Sequence, residues 1–307
     1  MPPTLALALA DAVARLRASH DPARAEASRS DAEELLSRLL GIGRGDLRLA
    51  FGQTLDAAQA ATLERWLARR MAGEPVQYVT GRAAFRDLDL AVTPAVLIPR
   101  PETEGLVEAV LEVLAAEHMR WTHPRVLDLG TGSGAIALAL ASEHPDARVT
   151  ATDASDAALA VARMNAEALG LTARVRFADG DWFDAVPPDE RFEVVVSNPP
   201  YVGEQERDRL PADVRDHEPA MALFADEEGL ADVRAILDAA PRQLVARGLL
   251  ALELSESHAE HVATSLEGAH DWEHVELRRD LSGRPRVLLA RRAAGPAIAP
   301  AQWEEEG

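Results

Sequence analysis

Between residues 102 and 292, short apolar or β-branched runs alternate with helical stretches, and this rhythm constrains the fold more than any other feature of the chain. Short apolar runs bounded by turn signals read as buried strands. They are Arg125–Leu129, Arg148–Asp153, Ala173–Ala178, Phe192–Ser197, Leu249–Leu254, His274–Arg279 and Arg284–Ala290. Helical patterns over Ala135–Ser142, Ala157–Leu169, Leu230–Val245 and Glu256–Leu266 separate them. Such alternation specifies an α/β fold, a doubly wound, Rossmann-like sheet of seven strands.

What precedes the sheet is different in kind. Residues 1–75 read as a small helical domain for packing or partner docking. Met1–Leu16 is apolar but lacks a basic leader and meets Asp11 early, so it reads as a helix and not a signal peptide. Ser30 and Glu33 have capping-box spacing, Leu35, Leu36, Leu39 and Leu40 form one apolar face, and Gly41 suits a helix C-terminus. Asp56 to Met71 is a second amphipathic segment, with Leu63, Trp66 and Leu67 inward. In 76–100, Leu88, Leu90 and Val92 alternate with Asp87, Asp89 and Ala91, a β-hairpin linker between domains. Pro101 then opens a helix with Glu102 and Glu104 in its first turn, where the macrodipole favours acids, and the stretch Pro99 to Glu104 reads equally as a helix start or as a cover for the active site. The sheet domain is expected over 101–292 and a disordered tail over 293–307.

Two absences narrow the chemistry. No cysteine is present, which removes thiolate zinc sites and a cysteine nucleophile; no metal site is expected. All 32 basic residues are arginine, so a Schiff base and the usual P-loop lysine are excluded. A net charge of −19 makes a general nucleic-acid binder a poor expectation, since phosphates call for a basic face. No apolar run approaches the ~18 residues of a membrane span, so a cytoplasmic, monomeric protein without a membrane partner is expected.

The ends of consecutive strands carry the chemistry, because ligands of open α/β sheets bind at carboxyl edges. The first strand opens into Gly130-Thr131-Gly132-Ser133-Gly134, where a backbone without Cβ atoms turns tightly ahead of a helix N-terminus. Asp153 ends the second strand, placed to accept hydrogen bonds from a ribose diol or to cap the next helix. Asp181, Trp182 and Phe183 follow the third, an acid beside rings that suit an adenine or the core. These features serve NAD as well as S-adenosylmethionine. The fourth strand ends in Asn198-Pro199-Pro200-Tyr201, which leaves the sheet abruptly because neither proline can donate to a ladder. That turn offers an amide, carbonyl acceptors and an aromatic ring, a set that can hold a planar –NH2 by its hydrogens.

With these motifs in this order, the sequence resembles the class I S-adenosylmethionine-dependent methyltransferases, and more narrowly the release-factor glutamine methyltransferases (the PrmC/HemK family). The likeness covers roughly residues 30–292 and includes Gly73-Glu74-Pro75-Val76-Gln77-Tyr78 and Leu97-Ile98-Pro99-Arg100-Pro101-Glu102-Thr103-Glu104. It implies that Gly130 to Gly134, Asp153, Asp181, Trp182 and Asn198 bind S-adenosyl-L-methionine. It further implies that Asn198, Pro199, Pro200 and Tyr201 hold the glutamine of the Gly-Gly-Gln loop of a peptide chain release factor, with no direct nucleic-acid contact. Three readings compete with it. A DNA adenine-N6 methyltransferase uses a similar turn, a ribosomal-protein glutamine methyltransferase is a sibling activity, and a nicotinamide-dependent dehydrogenase shares the glycine loop and Asp153.

Overall fold

A computed structural model of the chain describes residues 3–18 and 22–295. The tail expected over 293–307 falls, from residue 296, outside the described residues. Two compact units are present. One runs to Arg82 and takes in Pro211–His217; the other comprises Ala83–Leu210 and the chain from Glu218 onward.

The first unit contains α1 (Leu5–Arg17), α2 (Pro22–Leu40), α3 (Ala57–Met71) and α4 (Val76–Thr80). Leu5, Leu9, Ala12 and Leu16 of α1 pack with Leu35 and Leu36 of α2 and Leu63 and Leu67 of α3. Asp56 and Gln59 form a reciprocal capping box at the start of α3, each side chain accepting from the other's backbone N–H. Gly41, at φ +66°, ends α2 as expected. The Ser30–Glu33 pair does not begin a helix, because α2 starts at Pro22. Their side chains instead accept hydrogen bonds from the Arg44 guanidinium at 3.2 and 3.3 Å. Arg70 is buried against Asp31 at 2.7 Å.

The second unit opens with the hairpin β1 (Arg82–Phe85) and β2 (Leu88–Ala91), in which Leu88 and Leu90 are buried and Asp89 exposed. Helix α5 (Pro101–Ala116) carries its proline in the first turn. Strands and helices then alternate: β3 (Arg125–Leu129), α6 (Ala135–Glu143), β4 (Arg148–Asp153), α7 (Asp156–Ala168), β5 (Val175–Asp179) and β6 (Phe192–Ser197). The short helix α8 (Ala212–His217) belongs to the first unit; in the second, a single turn, α9 (Asp226–Gly229), is followed by α10 (Ala231–Gln243), β7 (Leu244–Glu253), α11 (Glu256–Leu266), β8 (Trp272–Arg279) and β9 (Pro285–Arg292).

The sheet has seven strands in the order β5-β4-β3-β6-β7-β9-β8, with β9 antiparallel to both neighbours and the other pairings parallel. Period-2 alternation sends Val126, Val194 and Val196 to one face, under α5 and α6. Leu127, Leu129 and Val195 go to the other, under α10 and α11. Helix α6 is apolar all round and buried from Ala135 to Ala141, as a central crossover helix must be. Several expected boundaries move: β5 begins at Val175 and not Ala173, and β7 at Leu244 and not Leu249. The helix expected to reach Val245 ends at Gln243, and Leu244 already pairs with Phe192. An apolar pair is compatible with either period, and the neighbouring strand decides between them. Strand order reverses between β3 and β6, and the crevice over that point is where an open α/β sheet takes its ligand. Among the described residues no helix is long and apolar enough to cross a membrane.

Candidate active site

The glycine loop at the end of β3 is held from below and from the side. Gly130, Gly132 and Gly134 all have positive φ, at +67°, +56° and +85°. At Gly134 the left-handed backbone calls for glycine, and a Cβ would also press on the movable end of Leu138 at 2.9 Å and on Ala162 at 3.3 Å. The Thr131 N–H donates to the Thr152 carbonyl at 2.8 Å, and its hydroxyl donates to Asp128 Oδ2 at 2.6 Å. Asp128 is completely buried beneath the loop and also accepts from the Ala137 N–H, while its Oδ1 has no partner. Burial pushes its carboxyl up to about 7, against the hydrogen bonds from Thr131 and Ala137. Asn165 of α7 is a further clamp. Its amide exchanges two hydrogen bonds with Ala91 of the hairpin and donates to the Ser133 carbonyl at 2.9 Å.

Asp153, at the end of β4, accepts from the Gly132 N–H at 2.8 Å and from the Ser155 N–H at 2.9 Å. Ser155, not Asp153, caps α7. Burial is the main influence on the Asp153 carboxyl and raises it. After β5, Trp182 adopts φ +42° and lays its ring against Gly130, 3.5 Å from where a Cβ would stand. Asp232 lines the same cleft as this indole, and its titration is raised chiefly by burial.

These groups share one cleft of about 210 Å³. Of the residues expected at the site, Gly130, Gly132, Asp153, Asp181, Trp182, Asn198 and Pro200 line it. Thr131, Ser133 and Gly134 support the loop from beneath and do not line it, nor do Pro199 and Tyr201. Three aspartates, Asp153, Asp181 and Asp232, face the cleft, and among the described residues no arginine or histidine does. Its outer wall, Ala95 to Leu97, is pinned by buried Glu218, which accepts from the Ile98 N–H at 3.2 Å and from Arg100 at 2.7 Å.

The Asn198–Tyr201 turn is tied down by residues that local sequence patterns did not flag. Ser197, the last residue of β6, donates to the Leu129 carbonyl at 2.8 Å and so ties the turn's base to the glycine loop. Asn198 Nδ2 donates to Thr103 Oγ1 at 3.1 Å, and Thr103 in turn donates to Glu253 Oε2 at 2.6 Å. The Tyr201 hydroxyl reaches the other oxygen of Glu253 at 3.3 Å. Glu253 is 1% exposed, and burial raises its pKa. Glu253 and Asp128 each left a signal in the sequence, since an acid inside an apolar strand must be partnered or neutral. Thr103 left none.

Comparison with known proteins agrees with this geometry. Residues 8–81 match the PrmC N-terminal domain, and residues 107–213 match the Methyltransferase small domain. A release factor glutamine methyltransferase of Koribacter versatilis (strain Ellin345) is 41% identical over 289 residues, covering 94% of this chain and 99% of the relative. The chain belongs to the release factor glutamine methyltransferase family. A second member, from Escherichia coli (strain K12), is 42% identical over 286 residues, covering 92% of this chain and 97% of its own. Among solved structures, the hMettl16 catalytic domain in complex with a MAT2A 3'UTR hairpin superposes with a TM-score of 0.54 at 15% identity, over 80% of this chain and 85% of that one. At that identity the likeness speaks for the methyltransferase fold alone.

Proposed function

We propose that this methyltransferase moves a methyl group from S-adenosylmethionine to the side-chain amide nitrogen of glutamine, in the Gly-Gly-Gln loop of a peptide chain release factor. The observation that carries the reading is that Asn198 and the residues at the ends of β3, β4 and β5 line a single cleft. The cleft also fits the donor in charge. Three carboxylates without a facing cation favour a sulfonium and disfavour the pyrophosphate of a dinucleotide, which argues against the dehydrogenase reading.

When bound, S-adenosylmethionine supplies an electrophilic methyl carbon. Gly130 and Gly132 let the backbone approach this ligand without side chains in the way. Asp153 retains lone pairs for a ribose diol beyond those used by Gly132 and Ser155. Trp182 and Asp181 offer a ring and an acceptor for the base. On the acceptor side, a carboxamide nitrogen is a weak nucleophile because its lone pair is delocalised into the carbonyl. Asn198 Oδ1 and the Pro199 carbonyl each accept one of its hydrogens, which holds the amide plane and leaves the lone pair aimed into the cleft. As the nitrogen–carbon bond forms, the sulfonium–carbon bond breaks to leave neutral S-adenosylhomocysteine and the nitrogen releases one proton to water, so no strong base is required and none is assigned. Release-factor docking by the first unit and residence in the cytoplasm belong to the same proposal.

The test is Asn198→Ala with purified release factor and labelled methyl donor. Transfer should fall by roughly 100-fold or more, while S-adenosylmethionine affinity changes far less. Near wild-type transfer by this variant would refute the mechanism, and label entering DNA instead of protein would refute the substrate.

A further inference from the structure

The side chain of Asn198 has a donor end and an acceptor end of nearly equal shape, and only one of them can receive a hydrogen from a substrate amide. Which end faces outward is set by the groups behind it. Thr103 Oγ1 lies 2.6 Å from Glu253 Oε2, a short length typical of a hydroxyl donating to a carboxylate. A hydroxyl has one proton, and here it is committed to Glu253. Toward Asn198 the same oxygen can therefore only accept, so Nδ2 must turn inward at 3.1 Å and Oδ1 outward.

We propose that Glu253, acting through the Thr103 hydroxyl, is a positioning residue that fixes the orientation of the Asn198 amide and thereby the acceptor presented to the substrate nitrogen. This rests on the methyl-transfer reading above and adds the source of its polarity. The same carboxylate accepts from the Tyr201 hydroxyl, so both ends of the turn are referred to one rigid group. Rigidity comes from β7, which is paired to β6 on one side and β9 on the other. Thr103 lies 95 residues from Asn198, and Glu253 lies 150 residues from Thr103, so the relay is assembled by the fold.

A charge-neutral partner no longer commits the Thr103 proton. An amide at position 253 can donate to Thr103, the hydroxyl then turns its proton toward Asn198, and the asparagine meets it with Oδ1. The outward end becomes –NH2, which repels the substrate amide hydrogens. Protonation of Glu253 does the same. The groups facing Glu253 are Thr103 and Glu102 of α5, Tyr201 of the turn and Arg286 of β9, with Arg100 beside Tyr201. Since burial raises the Glu253 carboxyl, activity is present above its folded pKa and lost as pH falls through it.

Glu253→Gln, nearly isosteric, should lower kcat roughly 100-fold or more, with S-adenosylmethionine affinity and release-factor KM within about threefold of wild type. The acid limb of the wild-type pH profile should disappear in this variant. Thr103→Val should match it, Thr103→Ser should restore most of the activity lost in Thr103→Val, and the double variant should lose no more than either single one. Equal kcat in Glu253→Gln, or losses that multiply in the double variant, would overturn the proposal. Should Glu253→Gln fail to fold, the Thr103→Val and Thr103→Ser pair decides alone: similar kcat values would overturn it. If the wild type itself transfers no methyl to the release factor, the function reading fails; if it does and Glu253→Gln equals it, only the positioning role fails.

Discussion

Asp128 offers a direct measure of what it costs to build the glycine loop over a buried acid. Its Oδ2 holds the Thr131 hydroxyl and the Ala137 N–H, its Oδ1 has no partner, and burial pushes the carboxyl up from 3.8 to about 7. The folded chain therefore keeps a proton that the unfolded chain has lost throughout that interval. By linkage, stability falls as pH rises from about 4 to about 7 and then levels, by about 1.4 kcal/mol per pH unit. Asp128→Asn removes this titration while keeping the shape. Between pH 5 and pH 8 the stability of the variant should gain on wild type by about 3 kcal/mol, whatever the offset between them at either pH. Urea unfolding without ligand, followed by tryptophan fluorescence and circular dichroism at both pH values, reads the change in the gap. A gap constant to within about 0.5 kcal/mol would show that the folded acid is already ionised at pH 5. A gap that moves the other way would mean the loop stabilises the carboxylate, and the account of its burial would be wrong.

Other outcomes follow from the same geometry. Asn165→Ala strands the Ala91 backbone groups and the Ser133 carbonyl, and should lower unfolding free energy by about 3 kcal/mol; an unchanged urea midpoint would mean water replaces the amide freely. Gly134→Ala should cost about 2 kcal/mol and weaken S-adenosylmethionine binding, because φ +85° and the 2.9 Å approach to Leu138 both oppose a Cβ. Equal melting temperatures would contradict that. Asp181→Asn and Asp232→Asn should each reduce the preference for cationic S-adenosylmethionine over neutral S-adenosylhomocysteine by about threefold. Isothermal titration with both ligands checks this, and equal losses for the two would remove charge from the explanation.

The parts legible in sequence were those in which local pattern and tertiary demand coincide. Val126, Val149 and Val194 lie in runs whose apolar character is required by burial on both faces of a parallel sheet, so β3, β4 and β6 could be read directly. Asp153 and Asn198 were legible for a different reason, since each stands at a strand end where the chain must turn. Ser30 and Glu33 misled because a capping spacing inside a longer helix is free to serve another partner, here Arg44. The end of α10 was misplaced because Leu244 is apolar in either period, and pairing with Phe192 decided it. Thr103 lies in the stretch Pro99 to Glu104, which the sequence left open between a helix start and a cover for the site, but no pattern singled out its hydroxyl. Its hydroxyl gains meaning only from Glu253, 150 residues away.

The two halves of the cleft are encoded in different ways. Apart from Asn198, every group expected to bind the methyl donor comes from the unbroken stretch 128–182, a β-α-β-α-β succession whose members are near neighbours along the chain. The amide-gripping half is stitched together from α5, the end of β6 and the end of β7. Evolution, or a designer, can therefore redraw what is modified by editing the stitched side, leaving the contiguous donor cassette to be inherited whole.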